Sequence, residues 1–184
     1  MRVFIGIDLP AEVKRALYDL QSEIMNLGVR GSFKSQENFH ITLEFLGEVD
    51  CAAQPVLIEV LSGVASKHKP FLLNIGGIGV FPSFRRPHTL WTAVDGDLSE
   101  LNKLRDDLHL ELGNKGFLLE KRPFTPHLTI ISHPKLAAVD LSGIRAKKLG
   151  ELMVAEITLF ESRAVGGKRT YEALYTAGLE EVDG

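Results

Sequence analysis

Two short stretches of the chain, "NFHITLEFLGE" and "PHLTI", each place a histidine two residues before a threonine: His40 with Thr42, and His127 with Thr129. An imidazole of ordinary pKa, near about 6.5, can take or give a proton at neutral pH. A hydroxyl beside it can hold a non-bridging phosphate oxygen. Two such pairs in one cleft would supply a base, an acid and two phosphate contacts, the inventory that metal-free phosphodiester chemistry needs. Random order of 6 His and eight Thr would produce roughly a quarter of one His-x-Thr. Two are present, so the repetition itself asks for an account.

The spacing fits β-strands. Side chains at i and i+2 share a face of a strand, roughly 6 to 7 Å apart, so His40 and Thr42 point one way while Phe39, Ile41, Leu43 and Phe45 point the other. In the later stretch Leu128 and Ile130 turn to the core, opposite His127 and Thr129. A zinc site built from the two histidines and Glu44 is the nearest rival reading, but a zinc site more usually shows a third close His, Cys or acid.

The elements that would carry these strands occur twice. A strand over Arg2–Asp8 leads to Pro10 at a helix start and the apolar series Val13, Leu17, Leu20, Ile24 and Leu27, stopped by Gly28. A loop with Arg30, Gly31 and Lys34 then enters the His40 strand, and a helix over 52–67 follows, capped by Asp50 and burying Ile58, Leu61 and Val64. The second copy runs from "TLWTAV" through Asp95 into a helix with Leu98, Leu101, Leu104, Leu108 and Leu112, opened by a capping box of Asp97 and Glu100 and stopped by Gly113. His40 lies 32 positions after Asp8 (40 − 8), and His127 lies 32 after Asp95 (127 − 95). Further strands are expected over 71–81, 152–160 and 171–177, with "AVGGKR" as a hairpin connection. The expectation is an α+β protein: one domain over 1–184, of two similar lobes of mostly antiparallel sheet with outer helices. A pseudo-two-fold would bring the polar strand faces together in a central cleft.

Composition narrows the class. With 45% hydrophobic and 24% charged residues the chain has a globular mix, and its net charge of −3 offers no global attraction for nucleic acid, so a phosphate contact must come from a small local patch. The single cysteine, Cys51, excludes an intramolecular disulfide. The apolar run "MRVFIGIDLPAE" is too short to span a bilayer and has no small-residue cleavage site, so a cytoplasmic protein without membrane contact is expected.

The paired motifs, with "RVFIGIDLP", "GVFPSFRRPHTLW", "RPFTPHLTI" and "FESRAVGGKRTYEAL" around them, resemble the two-histidine phosphoesterase superfamily. Within it, the chain is similar to the RNA 2′,3′-cyclic phosphodiesterases, also called 2′-5′ RNA ligases. The resemblance implies a bilobal fold, without metal or other cofactor, that opens RNA 2′,3′-cyclic phosphate ends to 2′-phosphomonoesters; a monomer is expected, and tRNA halves are one candidate RNA among others that the sequence leaves open. It also implies the reverse 2′-5′ ligation. His40 would be the proton donor, His127 the proton acceptor, and Thr42 and Thr129 the phosphate contacts. Sequence alone leaves open which histidine is acid and which base. A protein of the same fold that binds RNA ends without catalysis is the alternative. The arginine common after the second motif is missing, since Ile131 is followed by Ser132 and His133. Arg122, Arg85, Arg86, Lys168 and Arg169 are candidate replacements, and Phe81, Phe84 and Phe33 are candidates to stack on a base. Trp91 is assigned to the core, and His68, His88, His109 and His133 to surface or structural roles.

Overall fold

The computed structural model describes residues 1–136 and 139–180. Strand β1 (Arg2–Asp8) lies between two antiparallel neighbours and is buried on both faces: Val3, Ile5 and Ile7 enter the core, and Phe4 on the other face packs against the rings of His40, Phe160 and Tyr171. Pro10 opens helix α1 (Ala11–Asn26), which buries Val13, Leu17, Leu20, Gln21 and Ile24. Leu27, expected in that stripe, is instead the C-cap and 45% exposed, and Gly28 ends the helix at a φ of 98°. The supposed loop after it forms a short strand, β2 (Arg30–Phe33), whose Gly and Ser disguised it as a turn. The first motif strand is β3 (His40–Glu48). Asp50 caps the short 3-10 turn Cys51–Ala53 by accepting from the Ala52 N–H at 2.8 Å, and α2 (Gln54–Ala65) follows. Its buried stripe is Leu57, Val60, Leu61 and Val64, so Ile58 falls beside the stripe rather than on it.

Strands β4 (Phe71–Ser83) and β5 (Arg86–Gly96) lead to α3 (Leu98–Asn114). The capping box does not form. The Asp97 carboxylate accepts from the Leu72 N–H at 3.1 Å, and Glu100 takes Lys103 instead. Gly113 lies within the helix, and the left-handed turn after it falls at Gly116. Then come β6 (His127–Lys135), β7 (Lys148–Val154), β8 (Glu156–Val165) and β9 (Lys168–Gly178). The segment expected as one strand over 152–160 is two, because the chain leaves one sheet and enters the other at Ala155. Gly166 and Gly167, both at positive φ, make the tight turn between β8 and β9. No helix among the described residues is long and apolar enough to cross a membrane.

The strands form two antiparallel sheets, ordered β3-β1-β8-β9 and β2-β6-β5-β4-β7. Each motif strand therefore lies beside the first strand of its own unit, but the first sheet is completed from the C-terminal end of the chain. The helices cross over. Helix α1 leaves the four-stranded sheet and packs on β7 of the other, while α3 leaves the five-stranded sheet and packs on β3. The larger apolar cluster includes Ile5 and Ile41 from one sheet and Leu73 and Leu128 from the other, so the two sheets share a core.

Both motif strands change register just after their threonine. Gly6 pairs with Thr42 but Ile5 with Glu44, which leaves Leu43 as an extra residue; Trp91 pairs with Thr129 but Leu90 with Ile131, which leaves Ile130. Such a β-bulge breaks the two-residue alternation. Leu43 and Glu44 are consecutive buried residues, as are Ile130 and Ile131, and Phe45, expected with the core, is 42% exposed. The equal spacings place Asp8 opposite His40, but Ala93 rather than Asp95 opposite His127. An even offset keeps the same face.

Polar side chains from the crossing helices secure these bulges. Buried Gln21 of α1 donates through Nε2 to the Ile130 carbonyl at 3.0 Å and to the Lys34 carbonyl at 2.9 Å. Buried Glu44 accepts from His109 at 2.7 Å and forms an ion pair with Arg105 at 3.3 Å, both on α3. Gln21→Leu should therefore destabilise the fold by about 1 to 3 kcal/mol, because the part-buried Lys34 carbonyl loses its donor and the Ile130 carbonyl keeps only the Lys34 N–H. Urea unfolding at unchanged m-value would read this; an unchanged midpoint would show that the clamp carries no stability.

Candidate active site

Ahead of each bulge the first and third residues of the motif strand face the space between the sheets, while Ile41 and Leu128 between them enter the core. There His40, Thr42, His127 and Thr129 line one cavity of about 130 Å³, together with Lys34, Asn38 and Tyr171. Larger depressions of about 990 Å³ beside His68 and Asp107, and about 580 Å³ beside Asp8 and Glu151, contain no motif residue.

Each histidine is oriented by the carbonyl two residues before it. The His40 Nδ1–H donates to the Asn38 carbonyl at 2.8 Å, and the His127 Nδ1–H to the Thr125 carbonyl at 2.7 Å. A carbonyl can only accept, so Nδ1 carries the proton and Nε2 is the basic nitrogen of each neutral ring. His40 Nε2 lies 2.9 Å from the Thr42 hydroxyl, which donates to it when the ring is neutral.

The surroundings of the two rings differ. His40 is enclosed by Phe4 at 4.5 Å, Tyr171 edge-on at 5.1 Å and Phe160 at 6.1 Å between ring centroids. Burial pushes its pKa down to about 4; the hydrogen bond to Asn38 opposes the shift, and the Lys34 charge adds to it. His40 of the free protein is therefore neutral at pH 7. His127 meets the edge of Phe81 at 5.0 Å, and Phe81 stacks on Trp91 at 4.8 Å. Trp91, expected in the core, is only partly buried. Its ring covers Gly79, where a Cβ would fall 2.1 Å from it.

The other sequence candidates lie outside the cavity lining. Arg122 is exposed and pairs with Glu120 at 2.6 Å. Arg85 and Arg86 sit at the exposed β4–β5 turn, Lys168 is exposed, and the Arg169 guanidinium turns to Ser162 at 3.1 Å. Phe84 is exposed beside Arg145, Phe33 packs on the smaller apolar cluster, and Phe81 reaches the site through His127. Ser132 pairs across to Ser32 and brings no cation. Glu44, the third ligand of the zinc reading, is engaged by Arg105 and His109, and no three His, Cys, Asp or Glu side chains among the described residues cluster to hold a metal. Sequence reasoning missed Lys34, Asn38 and Tyr171. Asn38 had a signal, being two residues before His40; Tyr171 arrives from the far end of the chain and had none.

A family model described as LigT-like phosphoesterase matches residues 7–91. An RNA 2′,3′-cyclic phosphodiesterase of Aeropyrum pernix is 33% identical over 163 residues, covering 85% of this chain and 90% of that protein. One of the same name from Geobacillus stearothermophilus is 35% identical over 127 residues, 69% of this chain but only 40% of that longer protein. The crystal structure of E. coli LigT complexed with 3′-AMP superposes with a TM-score of 0.78 at 26% identity, over 98% of both chains.

An anion entering the cavity would favour the imidazolium form of His40. Ring NMR should find His40 titrating near pH 4 in the free protein, and saturating inorganic phosphate should move that point upward. A free-protein value at the ordinary 6.5 would mean that burial does not act on this ring.

Proposed function

The chain belongs to the LigT-like phosphoesterases, the family of the RNA 2′,3′-cyclic phosphodiesterases, and on that premise we propose that it hydrolyses RNA 2′,3′-cyclic phosphate ends to 2′-phosphomonoesters without a metal ion. One observation carries this reading: two imidazoles, each aimed by an upstream carbonyl, share a small cavity with two threonine hydroxyls. His127 Nε2 takes a proton from water as the water oxygen bonds to phosphorus. Thr42 and Thr129 donate to the non-bridging oxygens of the pentavalent transition state. The bond to the 3′ oxygen breaks, and protonated His40 gives that oxygen its proton. The direction of proton flow follows the family resemblance. It is compatible with the depressed pKa of His40, since the bound phosphate anion restores the proton that burial removes.

With a ribose 5′-hydroxyl in place of water, His127 takes the hydroxyl proton as its oxygen bonds to phosphorus, the 3′ oxygen leaves with the proton from His40, and the product is a 2′-5′ linkage. RNA ends such as tRNA halves are the substrates this reading implies. It also takes residues 1–184 as one bilobal domain made by duplication, which the matched bulges and matched upstream carbonyls support.

His40→Ala and His127→Ala should each lower turnover of a nucleoside 2′,3′-cyclic phosphate by about 10² to 10⁴-fold, the usual worth of a general acid or base. Retained turnover in either folded variant would sink the two-histidine mechanism, and absence of turnover in the unsubstituted protein would leave binding of RNA ends as the function. EDTA should leave the rate unchanged, and the product should be a 2′-phosphate; a 3′-phosphate would assign a different bond to the reaction. Because the anionic substrate holds the proton on His40, the alkaline limb of kcat should lie at higher pH than that of kcat/KM. Coincident limbs would remove His40 from the proton-donor role.

A further inference from the structure

We propose that the Lys34 ammonium is the cationic contact for the substrate phosphate, presented to the two motif threonines from the end of an edge strand. The proposal deepens the phosphoesterase reading and rests on it. Of the seven residues lining the cavity, Lys34 is the one that carries a permanent charge, and no carboxylate is among them. Lys14, Lys103 and Lys115 each form an ion pair, with Asp8, Glu100 and Glu59; Lys34 forms none among the described residues and is half-buried. A partly desolvated ammonium without a counter-charge is unfavourable, and an anion in the cavity removes that cost.

Its backbone is held as a functional residue's would be. The Lys34 N–H donates to the Ile130 carbonyl at 3.0 Å, and the Lys34 carbonyl accepts from Gln21 at 2.9 Å. The same Gln21 amide reaches the Ile130 carbonyl. Lys34 is thereby tied to the bulge that follows Thr129. Strand β2 sets the approach, pairing Phe33 with Ile131 so that the next residue comes level with Ile130. The Lys34 charge also disfavours a second cation on His40. A phosphate between them reverses that relation by attracting both.

Lys34→Gln and Lys34→Arg test this, with inorganic phosphate binding by calorimetry, His40 titration by NMR, and hydrolysis of 2′,3′-cyclic CMP. Lys34→Gln should weaken phosphate binding and lower kcat/KM by about tenfold to a hundredfold, the worth of a hydrogen bond to a charged group. It should also raise the His40 titration point in the free protein, a change that loss of a merely structural side chain would not produce. Lys34→Arg should restore most of the phosphate affinity. Phosphate affinity and kcat/KM unchanged in Lys34→Gln, with hydrolysis intact in the unsubstituted protein, would overturn the role of Lys34 and leave the function standing. Lys34-dependent phosphate binding in a protein that never opens the cyclic phosphate would do the reverse.

Discussion

The extra residue after each motif threonine is the constraint on which the rest of the structure turns. A plain strand would keep alternating and send every second residue toward the gap between the sheets. The bulges at Leu43 and Ile130 stop that alternation, so that each strand presents one histidine and one threonine to the cavity and then buries two residues in succession. A bulge takes its extra residue out of the regular ladder. In the second unit the Ile130 carbonyl accepts from the Lys34 N–H and from Gln21 of the crossing helix; in the first, Arg105 and His109 receive the carboxylate of the buried Glu44. The exchange of helices between sheets is thus also what lets each motif be held from the opposite lobe.

Matched backbones do not make matched chemistry. Both imidazoles are turned by the carbonyl two residues upstream, yet Phe4, Phe160 and Tyr171 enclose His40, whereas Phe81 and Trp91 stand beside His127. Unlike surroundings are how one pair of similar groups comes to divide acid from base work. The strand β9 contributes to this asymmetry twice. Tyr171 closes over His40, and the Arg169 carbonyl accepts from Asn38 at 2.7 Å, steadying the residue whose own carbonyl orients the ring.

Much of the local architecture was legible in the residues. The stripe of α1, the helical leucines of α3, the Gly-Gly hairpin and the faces of His40, Thr42, His127 and Thr129 all follow from periods of 3.6 and two, which are properties of the chain itself. Where reading failed, a partner elsewhere had overruled local preference. Strand β2 exists because β6 offers it an edge, and its own Gly31 and Ser32 argue against a strand. Phe45 faces outward because of a register shift that only the pairing with β1 reveals. The Asp97 carboxylate makes no cap to α3 because the Leu72 N–H claims it. The division at Ala155 separates two strands whose apolar pattern runs on without a break.

For the site, the sequence by itself determined the chemical inventory and which groups share a strand face, since side-chain type and two-residue periodicity need no tertiary contact to be read. Only the tertiary structure decided that Lys34, Asn38 and Tyr171 join that inventory, and that burial lowers the pKa of His40. Those are consequences of proximity between residues up to a whole chain apart. Charge and burial act through space, and a linear sequence does not contain the distances.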